Sequence, residues 1–451
     1  MYETALPDET QQRIEEMAPA GLVVGIPSYR NSRTVGTIAE RVAEALERYY
    51  SALRPVIVHA DGHSFDDTLS VAAHIPLPPS VRRVTTRYQG LPGKGSALRA
   101  IFEVATHLQA RAVLLIEADV VSVQGEWVRA LVEPVLANEA DVVLPLYQLI
   151  RPLMLSAEMI CHPVLSAMFN ISVRNPTAGE IAMAGGVASY FAGRDVWETD
   201  VARDGVDVWM AAEVALETGR LAQAHLGPKI HRSHDSVTIA EAKFLQEIGT
   251  LFRMGHLHEA VWQARSAEHS TPPTLGTPTT YKVQSREGLP DPLALWQGGR
   301  RAFKGPLSKE WRSIVAPQHL EALEALVAAP DDRPSFDERL WARLVYDFLI
   351  VYNLGEGDPD KVVTALYPLF LMRSAALIAE IQEEAEPEAA LQALVQRQVA
   401  RFHEEREYLA RQWAGYISPE QMEIWRERGS LPDSMADDRR PTTDDRRPLT
   451  D

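Results

Sequence analysis

Ala112-Val113-Leu114-Leu115-Ile116-Glu117-Ala118-Asp119, preceded by Leu91-Pro92-Gly93-Lys94-Gly95-Ser96, is the part of the chain that decides the fold. The wholly apolar run reads as a strand buried on both faces, as in a parallel sheet. Such a strand ends at the edge where open α/β folds bind ligands, which places Glu117 and Asp119 at a ligand site. Carboxylate oxygens there suit a hard divalent cation. The Gly-Lys-Gly upstream offers a close backbone approach and a positive charge. Together the two stretches predict a diphosphate held between Lys94 and a metal ion.

The pattern repeats on either side. Residues 21–27 read as a buried strand and 34–50 as an amphipathic helix with a polar start; 55–60 form a second strand that ends at Asp61-Gly62-His63-Ser64. Residues 81–86 give a third strand, 95–108 a helix, and 142–146 a further strand beyond the central one. Strands alternating with helices predict an α/β fold with a largely parallel sheet covered on both faces. After residue 270 the pattern changes. Ser270-Thr271-Pro272-Pro273-Thr274-Leu275-Gly276-Thr277-Pro278 is rich in breakers, and helical periodicity follows over 318–329, 336–353, 361–381 and 387–413 with no comparable strand signal. The expected organisation is an N-terminal segment over 1–20, an α/β catalytic domain over 21–269, a linker or crossing loop over 270–305, and a helical C-terminal domain over 306–430. The tail over 431–451 holds a near-duplicate Asp-Asp-Arg-Arg-Pro and is too polar to bury.

Composition excludes several classes of function. The chain has 451 residues, 46% of them hydrophobic, enough for a sizeable core. A formal net charge of −17 with scattered basic residues opposes a nucleic-acid partner, which needs clustered Lys and Arg to neutralise phosphates. The single cysteine, Cys161, cannot form an intramolecular disulfide or a cysteine-based metal site and reads as a core thiol. Met1-Tyr2-Glu3-Thr4 lacks the positive start of an export signal, so the cytoplasm is the expected location. The apolar regions 142–169 and 361–381 are interrupted by Arg151, Glu158, Pro163 and Arg373, which argues for buried helices over membrane spans.

The candidate site residues compete with plainer readings. A P-loop is ruled out, because its first glycine and its Ser or Thr fall on Tyr88 and Gly95. Lys94 is either a phosphate contact or a solvated turn residue. Glu117 and Asp119 alone could be strand-ending carboxylates, but Asp61 ends another strand in the same sense, and the convergence favours a site. His231, in Gly227-Pro228-Lys229-Ile230-His231-Arg232-Ser233-His234, adds an imidazole that could share a divalent ion with carboxylates. Arg151, just after the strand at 142–146, is either a bidentate anchor for a carboxylate or a surface arginine.

The ordered set Ile26-Pro27-Ser28-Tyr29-Arg30-Asn31, Asp61-Gly62-His63-Ser64, Pro92-Gly93-Lys94-Gly95, Glu117-Ala118-Asp119, Ala184-Gly185-Gly186 and Ile230-His231-Arg232 resembles nucleotide-sugar-dependent glycosyltransferases of the GT-A fold. Within them it is most similar to the retaining enzymes that make mannosylglycerate, glucosylglycerate or glucosyl-3-phosphoglycerate. The resemblance covers roughly residues 20–265, and extends more faintly to Gly355-Glu356-Gly357-Asp358-Pro359. It implies a GT-A-like, Rossmann-like domain with a helical extension. Pro27 and Tyr29 would meet the nucleobase and ribose, Asp61 would hold the base, and Lys94 the diphosphate. Asp119 and His231 would be metal ligands for Mg2+ or Mn2+. Glu117, where the family has the first Asp of Asp-x-Asp, would with Ala118 contact the sugar or ribose. Gly185 and Gly186 would line the acceptor and sugar pocket, although the Glu that the family carries soon after this turn is replaced by Val187-Ala188. Asp207, in Asp204-Gly205-Val206-Asp207, would orient the donor sugar or acceptor hydroxyl; its plainer reading is a helix-start carboxylate.

The expected function is therefore metal-dependent, retaining transfer of a hexose from a UDP- or GDP-sugar to D-glycerate or 3-phosphoglycerate, with Asp207 and Lys94 as the catalytic pair. The alternatives are an inverting family-2-like transferase acting on a lipid or polysaccharide, a non-catalytic nucleotide-sugar sensor, and a nucleotidyltransferase. The apolar faces of the helical part could bury against a second copy, as a homodimer, or cover the chain's own catalytic domain.

Overall fold

The computed structural model describes residues 3–147, 155–217, 220–232, 237–264, 270–277, 290–305, 307–328, 334–382, 384 and 386–417. Eight strands, β1 (Leu22–Ser28), β2 (Val56–Asp61), β3 (Arg82–Arg87), β4 (Ala112–Leu115), β5 (Val142–Tyr147), β6 (Ile181–Ala184), β7 (Leu221–Gly227) and β8 (Thr274–Leu275), form one sheet in the order β3-β2-β1-β4-β6-β5-β7-β8. All neighbours pair in parallel except β6, which runs antiparallel to both β4 and β5. The carboxyl ends of seven strands therefore share one edge with the amino end of β6. From β1 the chain winds outward through β2 and β3 and then returns to β4 on the other side of β1. The crevice between β1 and β4 is thus the topological switch point at which such sheets bind ligands.

The apolar runs form the central strands because both of their faces are covered. Leu22, Val24 and Ile26 pack with Ile38, Val42 and Leu46 of the helix Val35–Tyr50 and with Trp127 and Leu131 of the helix Gly125–Leu136. Val23, Val56 and Val58 face the opposite way, into a core shared with Ile101 and Phe102 of the helix Lys94–His107. The alternation follows from the two-residue period of a strand.

That second core does not stop at the sheet. It runs on through the helices Pro292–Phe303, Glu338–Leu354, Pro359–Gln382, Pro387–Glu404 and Arg406–Ala414. Trp341 is fully buried and donates its indole N–H to the Met159 carbonyl at 3.1 Å, and Gln398 Nε2 reaches the same carbonyl at 3.1 Å. The apolar faces of the helical part thus cover the chain's own α/β part. Pro359–Gln382 is long and apolar enough to cross a membrane, yet 78% of its apolar window is buried inside the protein. Arg373 on this helix is 2% exposed and is satisfied by the Phe336 carbonyl at 3.0 Å and Gln398 Oε1 at 3.2 Å.

Two segments differ from the sequence reading. The range 270–305, expected as a linker or crossing loop, contains β8, which adds to the edge of the sheet beside β7, and the helix Pro292–Phe303. Asp291 caps that helix by accepting the Leu293 N–H at 3.0 Å, and Pro292 opens it, an N-terminus written plainly as Asp-Pro. The single helix expected over 387–413 is divided at Glu405. This residue is 5% exposed, and its carboxylate takes Arg339 at 2.9 Å and Arg343 at 2.7 Å, which turns the chain between the two helices. The tail over 431–451 lies outside the described residues.

Candidate active site

Six elements deliver charged or hydrogen-bonding side chains to the carboxyl edge. Glu117 and Asp119 follow β4, Tyr147 ends β5, Glu180 precedes β6, and Lys229 and His231 follow β7. Lys94 opens the helix Lys94–His107, and Asp207 stands in the first turn of the helix Val206–Glu217. The segment carrying His231 folds back onto the one carrying Asp119. Val120 and His231 form a β-bridge, Val121 N–H donates to the Ile230 carbonyl at 2.9 Å, and Arg232 N–H to the Asp119 carbonyl at 3.0 Å.

Charges of alternating sign run through the site. Asp207 Oδ2 meets Lys94 Nζ at 2.7 Å, Lys94 Nζ meets Glu117 Oε1 at 2.7 Å, Glu117 Oε2 meets Lys229 Nζ at 2.8 Å, and Lys229 Nζ meets Glu180 Oε2 at 2.6 Å. The Tyr147 hydroxyl donates to the same Glu180 oxygen, and Lys229 lies 5.3 Å from the centre of the Tyr147 ring. Burial alone would discharge these groups, so the pairing must offset desolvation. Burial works against the Lys94 charge, but the carboxylates of Asp207 and Glu117 outweigh it and hold the ammonium well above its ordinary pKa. Burial likewise pushes Glu117 up, and Lys229, then Lys94, then His231 hold it well below the usual carboxylate range. Asp207 is pushed up by burial, with Lys94 opposing, and its Oδ1 is buried without a hydrogen-bond partner. Gly179 is what lets Glu117 approach the start of β6, since a Cβ at that position would lie 2.2 Å from the Glu117 carboxyl carbon.

Glu117, Asp119 and His231 are the one set among the described residues whose ligand atoms converge, all within 4.8 Å of one another. His231 Nδ1 is 3.5 Å from Asp119 Oδ1 and 4.0 Å from Glu117 Oε2. Two carboxylates and an imidazole form a donor set that fits Mg2+ or Mn2+, whose adjacent ligands at about 2.1 Å stand roughly 3 Å apart. Both Glu117 oxygens already carry a lysine, however, so Asp119 and His231 are the ligands with atoms to spare. The carboxylates of Glu117, Glu180 and Asp207 share the two ammonium groups of Lys94 and Lys229, and Asp119 has no lysine partner among the described residues, so these groups retain a negative surplus that a divalent cation would offset.

Other site residues of the sequence reading need correction. Gly185 and Gly186 do not line this pocket. Because β6 is antiparallel, Ala184 pairs with Ala112 at the start of β4, and Gly185 N–H donates to the Arg111 carbonyl, at the opposite edge of the sheet. Asp61 ends β2 as expected but is 0% exposed, with Oδ2 accepting Ser64 N–H at 2.9 Å and Oδ1 accepting Ser64 Oγ at 2.6 Å. It holds the 61–64 turn and presents no open oxygen to a base. Ala118 is 3% exposed, and its carbonyl accepts Thr34 Oγ1 at 2.7 Å, so it braces the loop from within. The Gly93 and Gly95 amides, expected to face phosphate, donate to the Tyr88 hydroxyl at 2.9 Å and the Arg203 carbonyl at 3.2 Å. Pro27 is partly buried at the end of β1, beside Tyr29, which is 56% exposed and packs against Gly62 of the next loop. Arg151 and His234 lie outside the described residues.

The sequence reading missed Glu180, Lys229, Tyr147 and Phe65. Lys229 was legible, since it precedes His231 by two residues, as Glu117 precedes Asp119, and alternate residues of an extended segment share a face. Phe65 is 75% exposed at the end of β2 with the Arg30 guanidinium 4.5 Å from its ring centre, next to Tyr29. Glu180 needed the direction of β6, which no local signal carries.

No family model and no curated protein matches the chain. Among solved structures it is similar to glucosyl-3-phosphoglycerate synthase from Mycobacterium tuberculosis in complex with Mn2+, uridine diphosphate and glucosyl-3-phosphoglycerate, at 21% identity and a TM-score of 0.41, covering 55% of this chain and 82% of that one. The same synthase with Mn2+, UDP-glucose and phosphoglyceric acid shows 22% identity and a TM-score of 0.41, with the same coverage of 55% and 82%. With Mg2+ and uridine diphosphate the values are 21% and 0.41, again over 55% and 82%.

Proposed function

We propose that the protein is a metal-dependent glycosyltransferase that moves a hexose from a nucleoside diphosphate sugar to a small hydroxy acid, D-glycerate or 3-phosphoglycerate. The observation that carries this reading is the convergence, at the β1–β4 switch point, of the Asp119–His231 ligand pair and the Lys94 ammonium. A site that combines a hard-cation donor set with a fixed positive charge suits a diphosphate leaving group. The α/β part over 21–269 is the proposed catalytic unit, with the C-terminal helices as its cover.

Tyr29 and Phe65, exposed at the ends of β1 and β2, supply apolar faces for the base. Asp119 and His231 would hold the cation, which when bound supplies charge neutralisation at the diphosphate. Lys94 holds its proton throughout and faces the charge that grows as the glycosidic bond breaks. In the retaining route the acceptor attacks from the leaving-group face and gives its proton to a diphosphate oxygen, so no protein nucleophile is required. Asp207, with a buried unpartnered oxygen and an elevated pKa, also fits the base of an inverting route, and the anomeric configuration of the product decides between the two.

The test is to incubate the protein with UDP- and GDP-hexoses, Mn2+ and an acceptor panel, and to examine products by NMR. An α-linked glycoside of a hydroxy acid is expected; no transfer with any donor would end the reading. For the metal, Asp119→Ala and His231→Ala are each expected to weaken Mn2+ binding in calorimetry by at least about 10-fold at an unchanged melting temperature. Wild-type Mn2+ affinity in both variants would remove the ligand assignment.

A further inference from the structure

We propose that Lys243 anchors the acid group of the acceptor, so that the protein selects anionic hydroxy acids over neutral polyols; this rests on the hexosyl-transfer reading. Lys243 lies on the helix Val237–Leu257, which packs against the helix carrying Asp207. Its charge lowers the pKa of both Glu117 and Asp207, and the Lys94 charge acts in turn on Lys243, so it belongs to the field of the same site. It differs from the other two site lysines in how it is held. Lys94 and Lys229 each grip two carboxylates at 2.8 Å or less, and their side chains are 14% and 5% exposed. Lys243 is 30% exposed and pairs with Glu247 Oε1 at 3.7 Å, beyond hydrogen-bond reach, so its ammonium keeps donors for a closer partner.

The groups around it fit the rest of such a ligand. Glu247 is 1% exposed; its Oε2 accepts Ser156 Oγ at 3.0 Å while its Oε1 is buried with no hydrogen-bond partner. Asp207 Oδ1 is in the same condition. Buried carboxylate oxygens are rarely left unsatisfied, and these two, Glu247 Oε1 beside the cation and Asp207 Oδ1 on the helix packed against it, are the acceptors we assign to ligand hydroxyls. Burial pushes Glu247 up to about 7, with Lys243 opposing and Asp207 and Asp204 adding to the rise, so Glu247 holds the ammonium less firmly than an ordinary ionised carboxylate would. An acid group beside hydroxyls therefore has a cation and two acceptors waiting, whereas a neutral polyol leaves the cation unused.

The experiment compares wild type, Lys243→Met and Lys243→Arg with D-glycerate, 3-phosphoglycerate and glycerol as acceptors. Lys243→Met is expected to raise the acceptor KM for the acids by about 10- to 100-fold, to raise the donor KM and the glycerol KM far less, and to be rescued by Lys243→Arg. The two acids separate carboxylate from phosphate as the anchored group, since only the phosphorylated one loses affinity if phosphate is held. An unchanged acid KM in Lys243→Met, or a wild-type enzyme that prefers glycerol, would overturn the proposal. Calorimetric binding of both acids to wild type and Lys243→Met tests the anchor independently of turnover. If no hexose moves but acid binding still depends on Lys243, the catalytic reading fails and this one stands.

Discussion

Lys94→Met is expected to lower turnover by about 100- to 1000-fold, roughly 3 to 4 kcal/mol of transition-state stabilisation, while weakening donor binding far less. The reasoning is differential: the charge on the diphosphate grows as the glycosidic bond breaks, so a fixed ammonium is worth more in the transition state than in the ground state. The structure adds a second cost. Lys94 is the only hydrogen-bonding partner of the buried Asp207 carboxylate among the described residues, so the single variant also loses stability. The double variant Lys94→Met/Asp207→Asn, read against Asp207→Asn alone, separates the two effects, because removing the orphaned charge restores the melting temperature without returning the ammonium, and the single change gives the loss due to Asp207 itself. If that double variant melts like wild type and also transfers hexose at a near-normal rate, Lys94 has no role in the chemistry.

Lys229→Met should be the most damaging single change to stability in the site. Lys229 is 5% exposed and neutralises Glu180, which is 0% exposed, together with Glu117. Removing one member of a buried ion pair costs about 3 to 5 kcal/mol, since the partner is left charged in a poor solvent. For a chain of this size, whose unfolding entropy is roughly 2 cal/mol/K per residue, that corresponds to a fall in melting temperature of about 3 to 5 °C. The pH dependence has a definite sign. Lys229 has its pKa raised in the fold, so its contribution is complete below the ordinary lysine value and is lost as pH rises through the folded one. Glu117 is held well below the usual carboxylate range, so its share is complete above the ordinary glutamate value and is lost as pH falls through the folded one. The difference between variant and wild type is therefore expected to be flat across neutral pH and to close at both extremes. Thermal unfolding curves that superimpose at pH 7 would show that the pair carries no stability.

How much of this was written in the sequence depends on whether a signal is local. Runs such as Val56-Ile57-Val58 and Ala112-Val113-Leu114-Leu115 announce buried strands by their composition, and the carboxylates that end them follow by position. The direction of β6 depends on pairing between residues distant in the chain, and with it went the placement of Gly185 and Gly186 and the discovery of Glu180. Asp61 was found at the right strand end but given the wrong task, since only the fold shows Ser64 taking both its oxygens. Glu117 was in place as well; its work as a hub between two lysines needed Lys229 to return from the far side of the sheet. The helix at 292–303 was hidden by the breakers before it, although Asp291-Pro292 is an ordinary start signal.

The apolar interior that runs unbroken from the sheet to Trp413 has a thermodynamic meaning for the chain as a whole. A domain boundary is a place where few contacts cross, and the joint between the α/β part and the C-terminal helices is instead held by Trp341, Gln398 and Met159. The two parts are therefore expected to unfold together, so that loosening the distal helices also weakens what keeps the carboxyl edge in register. A substitution at Trp341, remote in sequence from every charged group of the site, becomes a perturbation of the site through cooperativity.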